Sequence, residues 1–207
     1  MPDSASSRTV GSLLDAFASN QPVPGGGSAA ALAGAVGTSV LIMVASLPKT
    51  RTGAQSERDA LDAAAVRLRP LREALTGLID RDSDAYSNVV AAYRLAKGTD
   101  AEQSARRRAI EDAMRAATET PLETMRACQQ ALADAVVVAG GGVKSASSDA
   151  GVAIELLCAA LRGAALNVDT NIGSLADRAV AERMRQERQD LERRGAADAA
   201  RARALLV

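Results

Sequence analysis

The sequence predicts an all-α fold: a single-domain helical bundle around a buried central helix of small residues. Three observations lead there. No stretch sustains the apolar–polar alternation of a half-buried strand. Apolar residues recur at helical spacing through most of the 207 residues. The run from Ser28 to Leu47 carries no charge at all, as expected of a helix apolar on every side. A chain of this length can bury a full core, and no repeat or convincing linker divides it, so residues 1–207 read as one domain.

The elements follow in order. Residues 1–8 read as a loose arm. Thr9 can cap a short helix carrying Leu13, Leu14 and Phe17. The turn Pro22-Val23-Pro24-Gly25-Gly26-Gly27-Ser28 comes next, with prolines holding the approach extended and glycines opening backbone angles closed to other residues. Ser28 is the expected N-cap of the central helix. That helix is long enough to span a bilayer, but its first half is Ala, Gly and Ser, and no aromatic residue flanks it. Ala30, Gly34 and Thr38 recur every four residues and suit a close helix neighbour, so we read it as a core helix and expect no membrane partner.

Pro48 should stop it. Helical spacing resumes near Ser56 with Leu61, Ala64, Ala65 and Leu68, and Pro70 predicts a kink or a fresh start. From Leu71 one stripe gathers Leu75, Leu78, Ile79, Asp82, Tyr86, Val89, Val90 and Tyr93. Residues 101–118, with three consecutive arginines from Arg106, read as a solvated face. Thr120-Pro121-Leu122-Glu123 predicts a helix start, running to about Val138 and stopping at Gly140-Gly141-Gly142. Ser147 or Ser148 can cap the next helix, with Asp149 in its first turn. Asn167 and Asn171 share one face near its end. A charged helix over roughly 175–194 follows, and residues 195–207 continue it or fray. The total is seven or eight helices.

Composition excludes several functions. Lys plus Arg equals Asp plus Glu at 25 each, so no global charge draws nucleic acid or an acidic membrane. Three aromatic residues are too few for a base-stacking surface. There is no histidine, which removes the commonest general base and metal ligand. No metal constellation, dinucleotide motif or P-loop appears. Cys128 and Cys158 read as buried free thiols. Residues 1–7 lack the apolar core of a secretion signal, and we expect a cytoplasmic protein.

Chemistry concentrates in two places. A glycine turn feeding a helix N-terminus is either a plain connection or an anion site, offering N–H groups of Gly25, Gly26, Gly27 and Ser28. Asp82 lies on an apolar stripe, where a carboxylate either pairs with a structural partner or takes a raised pKa suited to acid–base work. Lys49 and Lys144 lie in loops where they can meet a polyanion. Asp149 reads first as a helix-start acid. Asn167 and Asn171 can hydrogen-bond a heterocycle or simply close a helix.

The ordered set of segments resembles the cyclodeaminase/cyclohydrolase family of folate enzymes. The similar pieces are residues 22–34, Leu78–Tyr86, Lys97-Gly98-Thr99, Ala117–Leu122 and Ser148–Ala153 running on to Arg162–Val168. The resemblance implies an all-α homodimer with the folate site at or near the subunit interface. It implies chemistry on a one-carbon unit of tetrahydrofolate with no metal or redox cofactor. Its glycine turn falls on Gly25 to Gly27, its acidic positions on Asp82 and Asp84, and its Ser-Asp pair on Ser148-Asp149. We expect a 5,10-methenyltetrahydrofolate cyclohydrolase with Asp82 and Asp149 catalytic. Gly25, Gly26, Gly27, Ser28, Lys49, Lys144, Ser148, Asn167 and Asn171 would bind substrate. The alternatives are a 5-formiminotetrahydrofolate cyclodeaminase and a non-catalytic ligand-binding helical dimer. The last is suggested by two departures: Pro48–Gly53 replaces a lysine-rich, tyrosine-ended stretch, and Val143 and Ser145 replace an Asn-x-Asn loop.

Overall fold

The computed structural model describes residues 4–206, and these form six α-helices with no strand among them. Helix α1 spans Val10–Phe17, α2 Gly26–Ala45, α3 Gln55–Tyr93, α4 Asp100–Gly141, α5 Ser147–Ile172 and α6 Arg178–Ala204. Helix α4 packs against α3, α5 and α6, while α2 lies on α3 and α5. One core runs through the bundle, with Leu41, Leu61, Leu68, Leu75, Leu122, Leu132, Ile154 and Leu157 fully enclosed.

The count falls below seven because two proline signals do not end helices. Helix α3 passes through Pro70 without a break. The proline withdraws the N–H that would bond the carbonyl four residues back, but both Pro70 and Val66 are exposed, so water can serve that carbonyl. Helix α4 passes through Pro121, which is buried. The carbonyl this proline orphans is that of Ala117, and the Asn171 side-chain amide donates to it at 2.9 Å. The true start of α4 is Thr99, whose hydroxyl accepts from the Glu102 N–H while the Glu102 carboxylate reaches back to the Thr99 N–H, a complete capping box.

Other boundaries also shift. Ser28 is not the N-cap of α2; Gly25 is, and Ser28 lies inside the first turn. Neither Ser147 nor Ser148 caps α5, whose N-cap is Ala146. Described residues of the arm are docked: the Ser4 hydroxyl and the Ser6 N–H donate to Asp80 and Ala5 is buried; residues 1–3 lie outside the described residues. The tail does not fray before Ala204, because Gly195, Ala199 and Ala202 bury one face of α6. Thr9 caps α1 as expected. Both cysteines are free and buried, and desolvation pushes the Cys128 thiol up to about 12.

Helices α2 and α5 run antiparallel, and small residues set their approach. Gly26 faces Asn167, Ala30 faces Gly163, and a side chain at Gly37 would lie 2.9 Å from the Ala153 carbonyl. On its other side, a side chain at Gly34 would meet Cys128 Sγ at 2.9 Å and Leu75 at 3.1 Å. By length and composition alone, two helices could cross a membrane, Gly26–Ala45 and Lys144–Ile172, with 56% and 50% of their windows buried. Along the outer side of α2 runs an apolar stripe on which Val36 and Met43 are exposed and Leu32, Ala33 and Val40 are half-buried. Beside it α5 carries Val152, Leu156, Ala159 and Leu166, with Val152 at 57% and Leu166 at 68% exposure.

Candidate active site

At the N-terminus of α2 a cavity of about 360 Å³ opens between α2, α3, α4 and α5. Its walls bring together residues distant in sequence: Gly25, Gly26 and Gly27, then Asp82 and Tyr86, then Met114 and Ala117, then Asn167 and Asn171. Pro22 and Val23 close one side, and the Val23–Pro24 peptide is cis.

Asp82 sits against the first turn of α2. Its Oδ2 accepts the Ser28 N–H at 2.8 Å and lies 3.0 Å from the Ser28 hydroxyl. Ser28 is fully buried, and its hydroxyl also lies 2.8 Å from the Ile79 carbonyl and 3.3 Å from Ser83 Oγ. The helix end therefore holds an anion, as a glycine turn at a helix N-terminus suggests, but the anion is the chain's own carboxylate. The N–H groups of Gly26 and Gly27 remain for a ligand. Gly27 is needed for space, and none of the three for an unusual backbone angle: among the described residues only Gly53 has a positive φ. A methyl group at Gly27 would overlap Asp82 Oδ1 and lie 2.6 Å from its Cγ. At Gly26 it would approach only Asn167, at 4.0 Å.

Burial raises the Asp82 carboxyl above its ordinary value, and the two Ser28 bonds oppose that rise without cancelling it. Among the described residues that line the cavity no other side chain is charged, and Tyr86 is the only other titratable group. Asn167 donates to the Gly163 carbonyl at 3.0 Å and Asn171 to that of Ala117. Both amides thus spend a donor on the fold, and each keeps its side-chain oxygen as an acceptor. Asp80 faces away from this cavity. Its burial is outweighed by the Ser4 and Ser6 bonds, which hold its carboxyl low.

The remaining expected residues lie elsewhere. Lys49 lines a separate cavity formed by Pro48–Gly53 and Arg58, past the C-terminus of α2. The N–H of Arg51 donates to the Gly141 carbonyl at 2.8 Å, and Thr50 pairs with Gly142, which brings this loop beside Lys144 and the start of α5. Because α5 is antiparallel to α2, Ser148 and Asp149 fall at that same end. The length of α2, 20 residues or about 30 Å, separates them from Asp82 within one chain. Met114 and Ala117 were not foreseen as site residues, since the segment carrying them reads as a solvated face. Tyr86 was visible only as a stripe residue.

A half-buried acid at a helix N-terminus beside two amide oxygens, in an all-α bundle, is suited to acid–base chemistry on a polar heterocycle. The chain belongs to the formiminotransferase-cyclodeaminase family, whose model matches residues 9–190. It is 40% identical over 187 residues to a methenyltetrahydrofolate cyclohydrolase of Methylorubrum extorquens, covering 90% of each chain. It is 31% identical over 197 residues to the formimidoyltransferase-cyclodeaminase of Rattus norvegicus, covering 89% of this chain but 35% of that protein. Its fold matches a crystal structure of formiminotetrahydrofolate cyclodeaminase from Thermotoga maritima with a TM-score of 0.86 at 22% identity, over 97% of this chain and 96% of that one.

Proposed function

We propose that this protein is a 5,10-methenyltetrahydrofolate cyclohydrolase, interconverting the methenyl and 10-formyl forms. The observation that carries the reading is the 40% identity to the Methylorubrum extorquens cyclohydrolase along nearly the whole of both chains. In this reading Asp82 is the acid–base group. It takes one proton of a water molecule as the water oxygen adds to the methenyl carbon, and gives that proton to N5 as the carbon–N5 bond breaks. The second water proton passes to solvent as the formyl carbonyl forms. The amide oxygens of Asn167 and Asn171 accept N–H groups of the pterin, and the N–H groups of Gly26 and Gly27 orient its polar edge. No step requires a metal or redox cofactor.

The homodimer belongs to the same proposal. Val36, Met43, Val152 and Leu166 leave an exposed apolar face on α2 and α5, and a second copy of that face would cover it. A two-fold axis across α2 sets the two copies antiparallel, because each contributes the same patch to the other. The Lys49, Lys144, Ser148 and Asp149 end of one copy then lies near Asp82 of the other. Those four residues would act from the opposite chain, with the lysines toward the glutamate carboxylates of the folate and Asp149 beside the reacting end. We propose that it works in the cytoplasm, away from any membrane.

The test follows the absorbance of 5,10-methenyltetrahydrofolate with purified protein in a buffer that does not itself catalyse hydrolysis, then that of 5-formiminotetrahydrofolate. Accelerated loss of the methenyl band is expected. Appearance of that band from the formimino compound with ammonia release would instead make the protein a cyclodeaminase, the activity named for the rat relative. No change with either would refute folate turnover and leave a ligand-binding dimer.

A further inference from the structure

Resting on the acid–base role of Asp82, we infer that Ser28 is a positioning residue whose hydroxyl follows the proton on Asp82, so that only Oδ1 works on the substrate. The two carboxylate oxygens are not equivalent. Oδ2 is tied to Ser28 by the backbone N–H at 2.8 Å and the hydroxyl at 3.0 Å. Oδ1 has no such tie and sits over Gly27, in the space a side chain there would fill, and Gly27 and Asp82 both line the cavity.

The Ser28 hydroxyl has one hydrogen and two acceptors within 3.0 Å, Asp82 Oδ2 and the Ile79 carbonyl at 2.8 Å, with Ser83 Oγ farther off at 3.3 Å. Both cannot receive it fully. When Asp82 is ionised, the charged oxygen is the stronger acceptor and the hydrogen turns to Oδ2. When Oδ1 carries the proton, Oδ2 weakens as an acceptor, and the hydrogen turns to the Ile79 carbonyl. Neither protonation state then leaves a buried donor unmet, which is otherwise a substantial cost in an enclosed site. The Ser28 N–H stays on Oδ2 throughout and keeps the carboxyl from rotating. Ser28 itself never meets the substrate, since it is fully buried behind the helix turn.

The surroundings leave this switch in control of Asp82. Helix α2 carries no charged residue. Helices α4 and α5 contribute Met114, Ala117, Asn167 and Asn171 to the cavity, all uncharged. On α3 itself, Asp80 is engaged by the arm, Arg81 pairs with Glu123, and Asp84 is exposed. Tyr86 is the other titratable group within reach.

Ser28→Ala keeps the N–H and removes the hydroxyl, and alanine suits a buried helical position. The experiment titrates protein carrying ¹³C-labelled aspartate by NMR, with the Asp82 carboxyl assigned by its loss in Asp82→Asn, alongside pH profiles of methenyl turnover. The expected result is an Asp82 midpoint about one pH unit higher in Ser28→Ala, the size of a lost hydrogen bond to the charged form. The limb of the rate profile governed by Asp82 moves upward with it, and kcat falls in a protein that stays folded, its thermal midpoint at neutral pH lower by the few degrees that the raised Asp82 value requires. An unmoved NMR midpoint in a folded Ser28→Ala overturns the inference. If Asp82→Asn also abolishes turnover, the acid–base reading survives that result. If Asp82→Asn turns over at the natural rate, the acid–base reading fails, while the NMR midpoint still decides the role of Ser28.

Discussion

Replacing Gly27 by alanine should cut turnover roughly 100-fold while leaving the bundle folded. The added methyl would overlap Asp82 Oδ1, with Cγ at 2.6 Å and Oδ2 at 2.8 Å. Ordinary carbon contacts lie at about 3.5–4.0 Å, so the carboxyl has to retreat by about 1 Å. The two Ser28 bonds begin at 2.8 and 3.0 Å, and such a retreat carries them to the edge of hydrogen-bond distance or beyond. A misplacement of about 1 Å in catalytic machinery costs roughly 100-fold, or about 2.7 kcal/mol of barrier. Stability changes less. The lost bonds are worth about 1–3 kcal/mol before the freed carboxylate regains water, and alanine returns up to about 1 kcal/mol over glycine in a helix. The thermal midpoint should therefore move by only a few degrees, at about 2–4 °C per kcal/mol for a chain of this size. The assay separates kcat from KM by the decay of the methenyl band, with calorimetry in parallel. Gly26→Ala is the matched comparison: its methyl approaches only Asn167 at 4.0 Å, so it should raise KM more than it lowers kcat. A Gly27→Ala protein with natural kcat would refute the placement of Asp82 as the acting group.

Asp82→Asn should abolish turnover and also flatten a pH dependence of stability. The folded carboxyl is raised by burial, so the native state holds its proton to higher pH than the unfolded chain. Stability from this group is then present at acid pH and lost as pH rises through the raised folded value; melting both proteins from mildly acid to neutral pH should show natural protein losing ground to the variant, and parallel curves would contradict this. Asn171→Ala leaves the Ala117 carbonyl without the donor that Pro121 withholds, for a loss of about 1–3 kcal/mol, readable as a lower thermal midpoint; an unchanged midpoint would refute the bridging role. Val36→Glu with Met43→Glu puts charge on the bare α2 stripe, where these residues are 44% and 42% exposed. Sedimentation should give a monomer with little turnover, and an active dimer would place the interface elsewhere.

Helices were legible because their signals are local. The Thr9 cap, the uncharged α2 run and the stripe through Leu75, Leu78 and Ile79 each depend on neighbours in sequence. Pro121 misled for the opposite reason: Thr-Pro-x-Glu is a sound local start signal, overridden by an amide 50 residues away in Asn171. Ser28 misled by one turn. Its composition suits a cap, but Gly25 occupies that place and frees Ser28 to reach α3. Asp82 was legible as an acid on an apolar stripe. That it occupies the helix N-terminus itself was not, since this depends on how α3 crosses α2. Met114 carried no signal, because its segment is mostly charged and only one face turns inward.

The charge pattern of the cavity explains why one acid can suffice. The methenyl group of the substrate is a delocalised cation, and among the described residues that line the cavity Asp82 is the only carboxylate. Bound together they form an ion pair in a poorly solvated place, where attraction is stronger than in water. If, as proposed, water adds to the methenyl carbon and its proton moves to Asp82, both charges disappear in one event. A raised carboxyl pKa favours that neutral state, so burial lowers the cost of the step instead of obstructing it. The same logic predicts unequal effects of Asp82→Asn on binding. The cationic methenyl substrate loses its counter-charge and should bind more weakly, whereas the neutral 10-formyl product should bind nearly as before. Equilibrium titration of the inactive variant with each folate, against product binding to the natural protein, measures the difference. Equal losses for both ligands would mean that Asp82 only shapes the cavity.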